Sequence, residues 1–203
     1  VYSQQTLLKL ASSSKKPVIN ALSDLYHPCQ ALADLLSLQE VLGDLSKVHL
    51  AFVGDGNNVC HSLMLGAAIL GMTLTVVTPP GFGPDAHVLL RAQALAAQSG
   101  AKLTLSQHVS AAAGADAIYT DTWLSMGNKA DPAQIERAFA PFQINTAVMQ
   151  RLGAKHFMHC LPAHRGEEVT DEVIDGAQSV VFDEAENRLH AQKSILAWCL
   201  GAI

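Results

Sequence analysis

Val48-His-Leu-Ala-Phe-Val-Gly-Asp-Gly-Asn-Asn58 decides how the chain is built. Its first six residues are a strand-length apolar run, its glycines allow a tight turn, and Asn58 to Leu70 continues with helical spacing. Strand, turn and helix in that order begin an alternation that fills the rest of the sequence. Strands are expected at Thr73–Val77, Ala101–Leu105 (weaker), Ala117–Thr120, Lys155–His159 and Ser179–Phe182. Between them the pattern predicts a helix at Asp85–Gln98 begun by Pro84-Asp85, a helical turn at Ser110–Gly114, helices near Pro132–Phe139 and Thr146–Leu152, and a last helix at Asn187–Leu200. Upstream, Ser3–Ala11 reads as a helix without a capping sequence of its own, and Pro17–Asn20 as a short buried strand. Cys29–Leu42 reads as a helix with Pro28 near its first turn and Gly43 at its end. There is no internal repeat and no low-complexity tract.

Short strands alternating with helices predict an α/β fold: a Rossmann-like parallel sheet with helices on both faces. Such sheets bind ligands at the carboxyl ends of their strands. That rule marks four loops: Gly54–Asn58, Pro79–Pro84, Asp121–Asn128 and Cys160–Glu168.

Composition narrows the partners. The chain has 203 residues, 49% hydrophobic and 15% charged, enough to bury a substantial core. A net charge of -5 supplies no basic field for nucleic acid or an anionic membrane, so neither is expected as a partner. No apolar run reaches the roughly 18 residues that span a bilayer. Cys29, Cys60, Cys160 and Cys199 form no C-x-x-C pair, which predicts reduced thiols and a cytoplasmic location, or the mitochondrial matrix in a eukaryote.

Gly54-Asp-Gly-Asn-Asn58 could receive a carboxylate or other anion on its N–H groups, with Asn58 offering an amide to an amino-acid head group. A capped strand-to-helix turn explains it equally well. A dinucleotide fingerprint would need a third glycine where Val59 stands, and the next strand ends in Thr78-Pro-Pro80 without an acid for a ribose; nicotinamide binding is disfavoured. In Asp121-Thr-Trp-Leu-Ser-Met-Gly127 the acid could pair with an ammonium, Ser125 could contact the same ligand, and Gly127 would let the segment move. A helix cap or solvated turn is the competing reading, with Trp123 in the core.

His159-Cys-Leu-Pro162 puts a thiol just after a strand, as nucleophile, ligand contact or inert buried group; no zinc-like spacing surrounds it, so no metal is expected. Ala163-His-Arg-Gly-Glu-Glu168 reads as an active-site loop or a solvated connection. His27-Pro-Cys-Gln30 aims an imidazole and an amide from a helix start, apt donors for a carbonyl or oxyanion, or simply a cap. Glu184-Ala-Glu-Asn-Arg188 offers Arg188 to a phosphate or carboxylate, against an ordinary ion pair with Glu184 at i, i+4.

Together, and in this order, these five motifs resemble the aspartate/ornithine carbamoyltransferase family, on its ornithine-using side, over essentially the whole chain. The resemblance implies transfer of a carbamoyl group from carbamoyl phosphate to the δ-amine of L-ornithine, giving L-citrulline and phosphate, a step of arginine metabolism that needs no cofactor and no metal. It implies that His27 and Gln30 hold the carbamoyl group and Arg188 contacts carbamoyl phosphate. By the same resemblance Asn58, Asp121, Ser125 and Met126 bind ornithine, while Cys160 and the Leu161 carbonyl lie near the reacting groups. A homotrimer is implied for the intact enzyme.

The family's Ser-x-Arg-Thr phosphate loop does not occur in these 203 residues. Residues 1–26 are therefore expected to be the tail of a carbamoyl-phosphate-binding domain, 27–186 the ornithine-binding domain, and 187–203 a helix returning to the first domain through Ile195, Leu196, Trp198 and Leu200. Little turnover is expected from this part alone. The rival expectations are a non-catalytic amino-acid-binding module and a carbamoyltransferase for another amine.

Overall fold

The computed structural model describes residues 1–124 and 131–203. One sheet contains β1 (His49–Val53), β2 (Thr73–Val77), β3 (Lys102–Ser106), β4 (Ala117–Thr120) and β5 (His156–His159). Its order is β3-β2-β1-β4-β5, and every neighbouring pair is parallel. β1 is central: the chain adds β2 and β3 on one side, then crosses back to place β4 and β5 on the other. A crevice opens where that order reverses, between the carboxyl ends of β1 and β4.

Parallel neighbours require crossovers, supplied here by α3 (Asn58–Leu70) and α4 (Ala86–Ser99). The remaining helices are α1 (Gln4–Ser13), α2 (Pro28–Leu42), α5 (Pro132–Phe139), α6 (Thr146–Leu152), α7 (Asp171–Ile174) and α8 (Val181–Cys199). Side chains alternate along each strand, so both faces carry a core. Leu50 and Phe52 pack with Leu38, Leu63 and Met64 under α2 and α3. Ala51 and Val53 pack with Ile118, Phe157 and Met149 over α6 and α7. Burial on both faces explains why the central strand β1 reads as a continuous apolar run, whereas the edge strand β3 is largely exposed and alternates.

Four expectations need correction. Pro17–Asn20 is not a strand; Val18 and Ile19 are exposed and find no sheet edge. Ser179–Phe182 is not one either: a single bridge joins Ser179 to Phe157, and the chain turns into α8 at Val181. The last helix therefore starts six residues before Asn187, so Glu184 and Arg188 lie within it. The first helix does have a cap, since Ser3 Oγ accepts from Thr6 N at 3.4 Å.

α8 packs along α2. Asn187 Nδ2 links the two by donating to Ser37 Oγ at 3.0 Å and Glu40 Oε2 at 2.6 Å. Its other side leaves Phe182, Leu189, Leu196 and Trp198 exposed. Among the described residues no helix is long and apolar enough to cross a membrane.

The turn after β1 is held against the loop after β2. Gly56 N donates to Phe82 O at 2.8 Å, and a Cβ at Gly56 would run into the backbone of Phe82, Gly83 and Pro84. Gly56→Ala should lose roughly 1–3 kcal/mol in urea unfolding, because the backbone cannot retreat without shifting the turn. Gly83→Ala, whose Cβ would meet nothing within 4 Å, is the control; equal stability of the two variants would contradict the close approach.

Candidate active site

A cleft of about 240 Å³ occupies the switch point of the sheet. The turn after β1 brings Asn57 and Asn58, the loop after β4 brings Asp121, the segment after β5 brings Cys160 and Leu161, and the start of α2 brings His27. Tyr2, Leu22 and Asp24 close it from the start of the chain. A second hollow of about 280 Å³ lies against α2 and α3 and is lined mainly by apolar groups, without this convergence of titratable ones. The loop at Pro79–Pro84 does not line the cleft; it buttresses Gly56 from behind.

Asp121 is the point on which the loops converge. It is 7% exposed, so its carboxylate needs donors. Asn57 Nδ2 donates to Oδ2 at 2.7 Å, while Thr122 N at 2.7 Å and Cys160 Sγ at 3.0 Å donate to Oδ1. Asn57 is itself fixed, because its Oδ1 caps α3 by accepting from Val59 N and Cys60 N. Asn58, the first helical residue, sends Nδ2 to Ser23 O at 2.7 Å and thereby ties the loop before α2 to the cleft.

His27 stands at the cap position of α2, with its backbone N–H donating to Ser62 Oγ at 2.8 Å. Its Nδ1 is buried and has no hydrogen-bond partner among the described residues. Burial, reinforced by the positive charge of Arg188, lowers its pKa from 6.5 to about 4, so the imidazole is neutral at pH 7. Gln30, one helical turn on, is buried and accepts from Arg188 Nη1 through Oε1. Arg188 thus reaches across from α8 to α2 to bond Gln30. With the Gln192 amide turned oxygen first, that oxygen accepts from Arg188 Nε at 3.0 Å and Nη2 at 2.9 Å.

Burial, and next the adjacent Asp121, push the Cys160 thiol well above its ordinary pKa. It is a protonated donor to Asp121, which removes the thiolate nucleophile from consideration. Leu161 has φ 55°, a left-handed backbone uncommon for a branched side chain. Its N–H donates to His159 Nδ1 at 2.8 Å, and His159 Nε2 faces Glu168 Oε1 at 3.2 Å, so the ring carries its proton on Nε2. Both of these side chains are fully buried. Asp121, His159 and Cys160 bring ligand atoms within 4.8 Å of one another, as do His164, Glu167 and Glu168. In the first group His159 already uses both ring nitrogens.

The structure therefore gathers His27, Asn58, Asp121, Cys160 and Leu161 around the cleft, with Gln30 and Arg188 paired behind His27. Ser125, Met126 and Gly127 lie outside the described residues. Trp123 is core: it stacks on Phe139 with centroids 6.0 Å apart. Sequence reading missed Asn57, whose signal was its place immediately before the helix that Asn58 opens. It also missed Asp34, a single acid on a helix face otherwise made of Ala31, Leu35 and Leu38, four residues after Gln30.

A switch-point cleft in a parallel sheet, lined by a buried carboxylate and neutral amide and imidazole donors, defines a ligand-binding α/β domain. Comparison with known proteins makes this specific. Residues 46–199 match the model of the aspartate/ornithine carbamoyltransferase Asp/Orn binding domain, and residues 1–40 the carbamoyl-P binding domain of the same family. The chain belongs to the aspartate/ornithine carbamoyltransferase family. An ornithine carbamoyltransferase of Shewanella oneidensis is 56% identical over 96% of this chain and 65% of its own length. One from Pyrococcus horikoshii is 50% identical over 100% of this chain and 65% of its own length. The solved ornithine carbamoyltransferase of Pyrococcus furiosus superposes with a TM-score of 0.94 at 50% identity, over 100% of this chain and 65% of that one. That of Giardia lamblia gives 0.89 at 32% identity, over 98% and 68%. The chain thus spans about 65% of the length of these curated relatives.

The His27 environment has a direct consequence. Its folded pKa lies below its unfolded value of 6.5, so the unfolded state takes up the proton first. The stability contributed by the neutral ring is complete above pH 6.5 and is lost as the pH falls towards about 4. In an NMR titration the His27 ring should change charge near pH 4, whereas a midpoint near 6.5 would contradict the buried, arginine-facing site.

Proposed function

We propose that this chain carries the ornithine-binding half of an ornithine carbamoyltransferase, with residues 27–186 as that unit, 1–26 as the tail of the carbamoyl-phosphate-binding domain, and 187–203 returning to it. The observation that carries the reading is the Asp121 carboxylate, set into the switch-point cleft by Asn57 and flanked by the neutral His27. A carboxylate there suits a cationic amino-acid nitrogen and repels a dicarboxylate such as aspartate.

In this reading one ammonium of L-ornithine pairs with Asp121, and Asn58 holds the same end of the substrate; Ser125 and Met126 are proposed to complete that contact. The δ-nitrogen, as the free amine, attacks the carbonyl carbon of carbamoyl phosphate. A new C–N bond forms and the carbonyl electrons move onto oxygen; the carbonyl then re-forms as the bond between carbon and the phosphate oxygen breaks. The proton lost from the attacking nitrogen goes to the departing phosphate, leaving L-citrulline.

His27 acts as a preorganised donor to the carbamoyl oxygen, Gln30, whose Nε2 donates inward to Asp34 and Glu184, holds the carbamoyl group as an acceptor through Oε1, and Arg188 carries the positive charge nearest the phosphate. Removing one such donor costs about 10²–10³ in rate in well-characterised systems. Cys160 stays a thiol and orients Asp121, and the Leu161 carbonyl accepts from the carbamoyl N–H₂. Most of the phosphate's cationic partners are proposed to come from residues outside these 203, as is the trimer contact. The expected setting is cytoplasmic.

Isothermal titration separates this reading from its rivals. L-Ornithine should bind with measurable heat, while aspartate and NAD should not. Asp121→Asn, which keeps the side chain's size and removes the charge, should weaken ornithine by about 10- to 100-fold, the usual worth of a charge-assisted bond. Unchanged ornithine affinity in that variant, or a preference for aspartate, would overturn the assignment.

A further inference from the structure

Behind His27 lie two acids that the reaction above does not use. Asp34 on α2 and Glu184 on α8 are both 0% exposed. Gln30 Nε2 donates to Asp34 Oδ1 at 2.7 Å and to Glu184 Oε1 at 3.3 Å, so one amide group binds both carboxyls. Glu184 Oε2 accepts from the backbone N–H of His159 at 3.1 Å. Asp34 Oδ2 is buried and receives no N–H or O–H among the described residues. An ionised carboxylate oxygen without a donor in a dry site is costly, and two ionised carboxylates bound to one amide group also repel.

We propose that Asp34 and Glu184 share one proton as a buried acid pair that locks the Gln30 amide, turning its oxygen towards Arg188. A proton between the two carboxyls gives Asp34 Oδ2 the partner it otherwise lacks. It also balances the charge: two acids and one proton carry a single negative charge, which the Arg188 guanidinium matches. The other titratable groups facing the pair add no cation. They are the neutral Tyr119 hydroxyl from β4, which lies beside both acids and has one proton to offer to only one of them, and the protonated thiol of Cys160 after β5. Burial acts in the same sense, raising Asp34 to about 7 and Glu184 well above the carboxylate range, the latter further raised by Asp34.

The consequence is orientation. A glutamine amide is nearly symmetric in shape, and what distinguishes its ends is which partners accept and which donate. The acid pair accepts from Nε2, so Oε1 must face the guanidinium. Asp34 and Glu184 are therefore positioning residues: they act through Gln30 and Arg188 and touch no substrate. Only that last step rests on the proposed function; the shared proton does not.

Infrared spectroscopy of the 203-residue chain without ligand tests the proton directly. At neutral pH the wild type should show the carbonyl stretch of a protonated carboxylic acid, shifted in heavy water. Asp34→Asn and Glu184→Gln each leave one carboxylate opposite Arg188 and should each abolish that band. Absence of the band in the wild type, or its survival in either variant, overturns the pair. The wild-type spectrum and either variant suffice if the other does not fold. The orientation claim is read from Gln30 side-chain amide protons by ¹⁵N NMR, which should exchange on the order of tenfold faster in Asp34→Asn; unchanged exchange overturns it. An acid band in a chain that binds no ornithine supports the pair and counts against the proposed function alone.

Discussion

One hydrogen bond, Asn57 Nδ2 to Asp121 Oδ2 at 2.7 Å, spans the place where the strand order reverses. It joins the turn after β1 to the loop after β4. The other end of Asn57 caps α3, and the other oxygen of Asp121 takes the thiol that follows β5. Three strand ends thus meet on one carboxylate. The constraint is electrostatic: a charge so nearly buried is tolerated only when donors surround it, and the sheet's topology delivers those donors.

The rest of the site is arranged so that charges remain few and matched. His27 is held neutral, Cys160 is held as a thiol, and Arg188 lies against a glutamine whose far side rests on two acids. Asn57, Cys160 and Arg188 are thus fixed before any ligand arrives, which is the condition under which dipoles stabilise developing charge cheaply. The ligand face keeps a carboxylate available to a cation, and the interior keeps its own charges neutralised. In the proposed reaction that division separates recognition, at Asp121 and Asn58, from polarisation, at His27.

Much of this was legible in the residues. Five strands and the helices between them followed from apolar runs ending in glycine or polar turns, because both faces of a parallel sheet are buried. Loops at strand ends pointed to Asn58, Asp121 and Cys160 before any geometry was known. Two short apolar runs misled: Pro17–Asn20 and Ser179–Phe182 have strand composition, but Val18 and Ile19 lie exposed away from the sheet, and Val181 instead begins a helix that packs on α2. Asp34 and Glu184 were passed over for a different reason. Their roles depend on a contact between residues 30 and 184, far apart in sequence, and no local pattern encodes it.

A crystal of the chain soaked with L-ornithine tests the central claim most directly. Difference density should place one ammonium nitrogen within hydrogen-bonding distance of the Asp121 carboxylate, with the side chain's other nitrogen running towards His27. Ornithine density elsewhere, with Asp121 still bonded to Asn57, Thr122 and Cys160, would contradict the account.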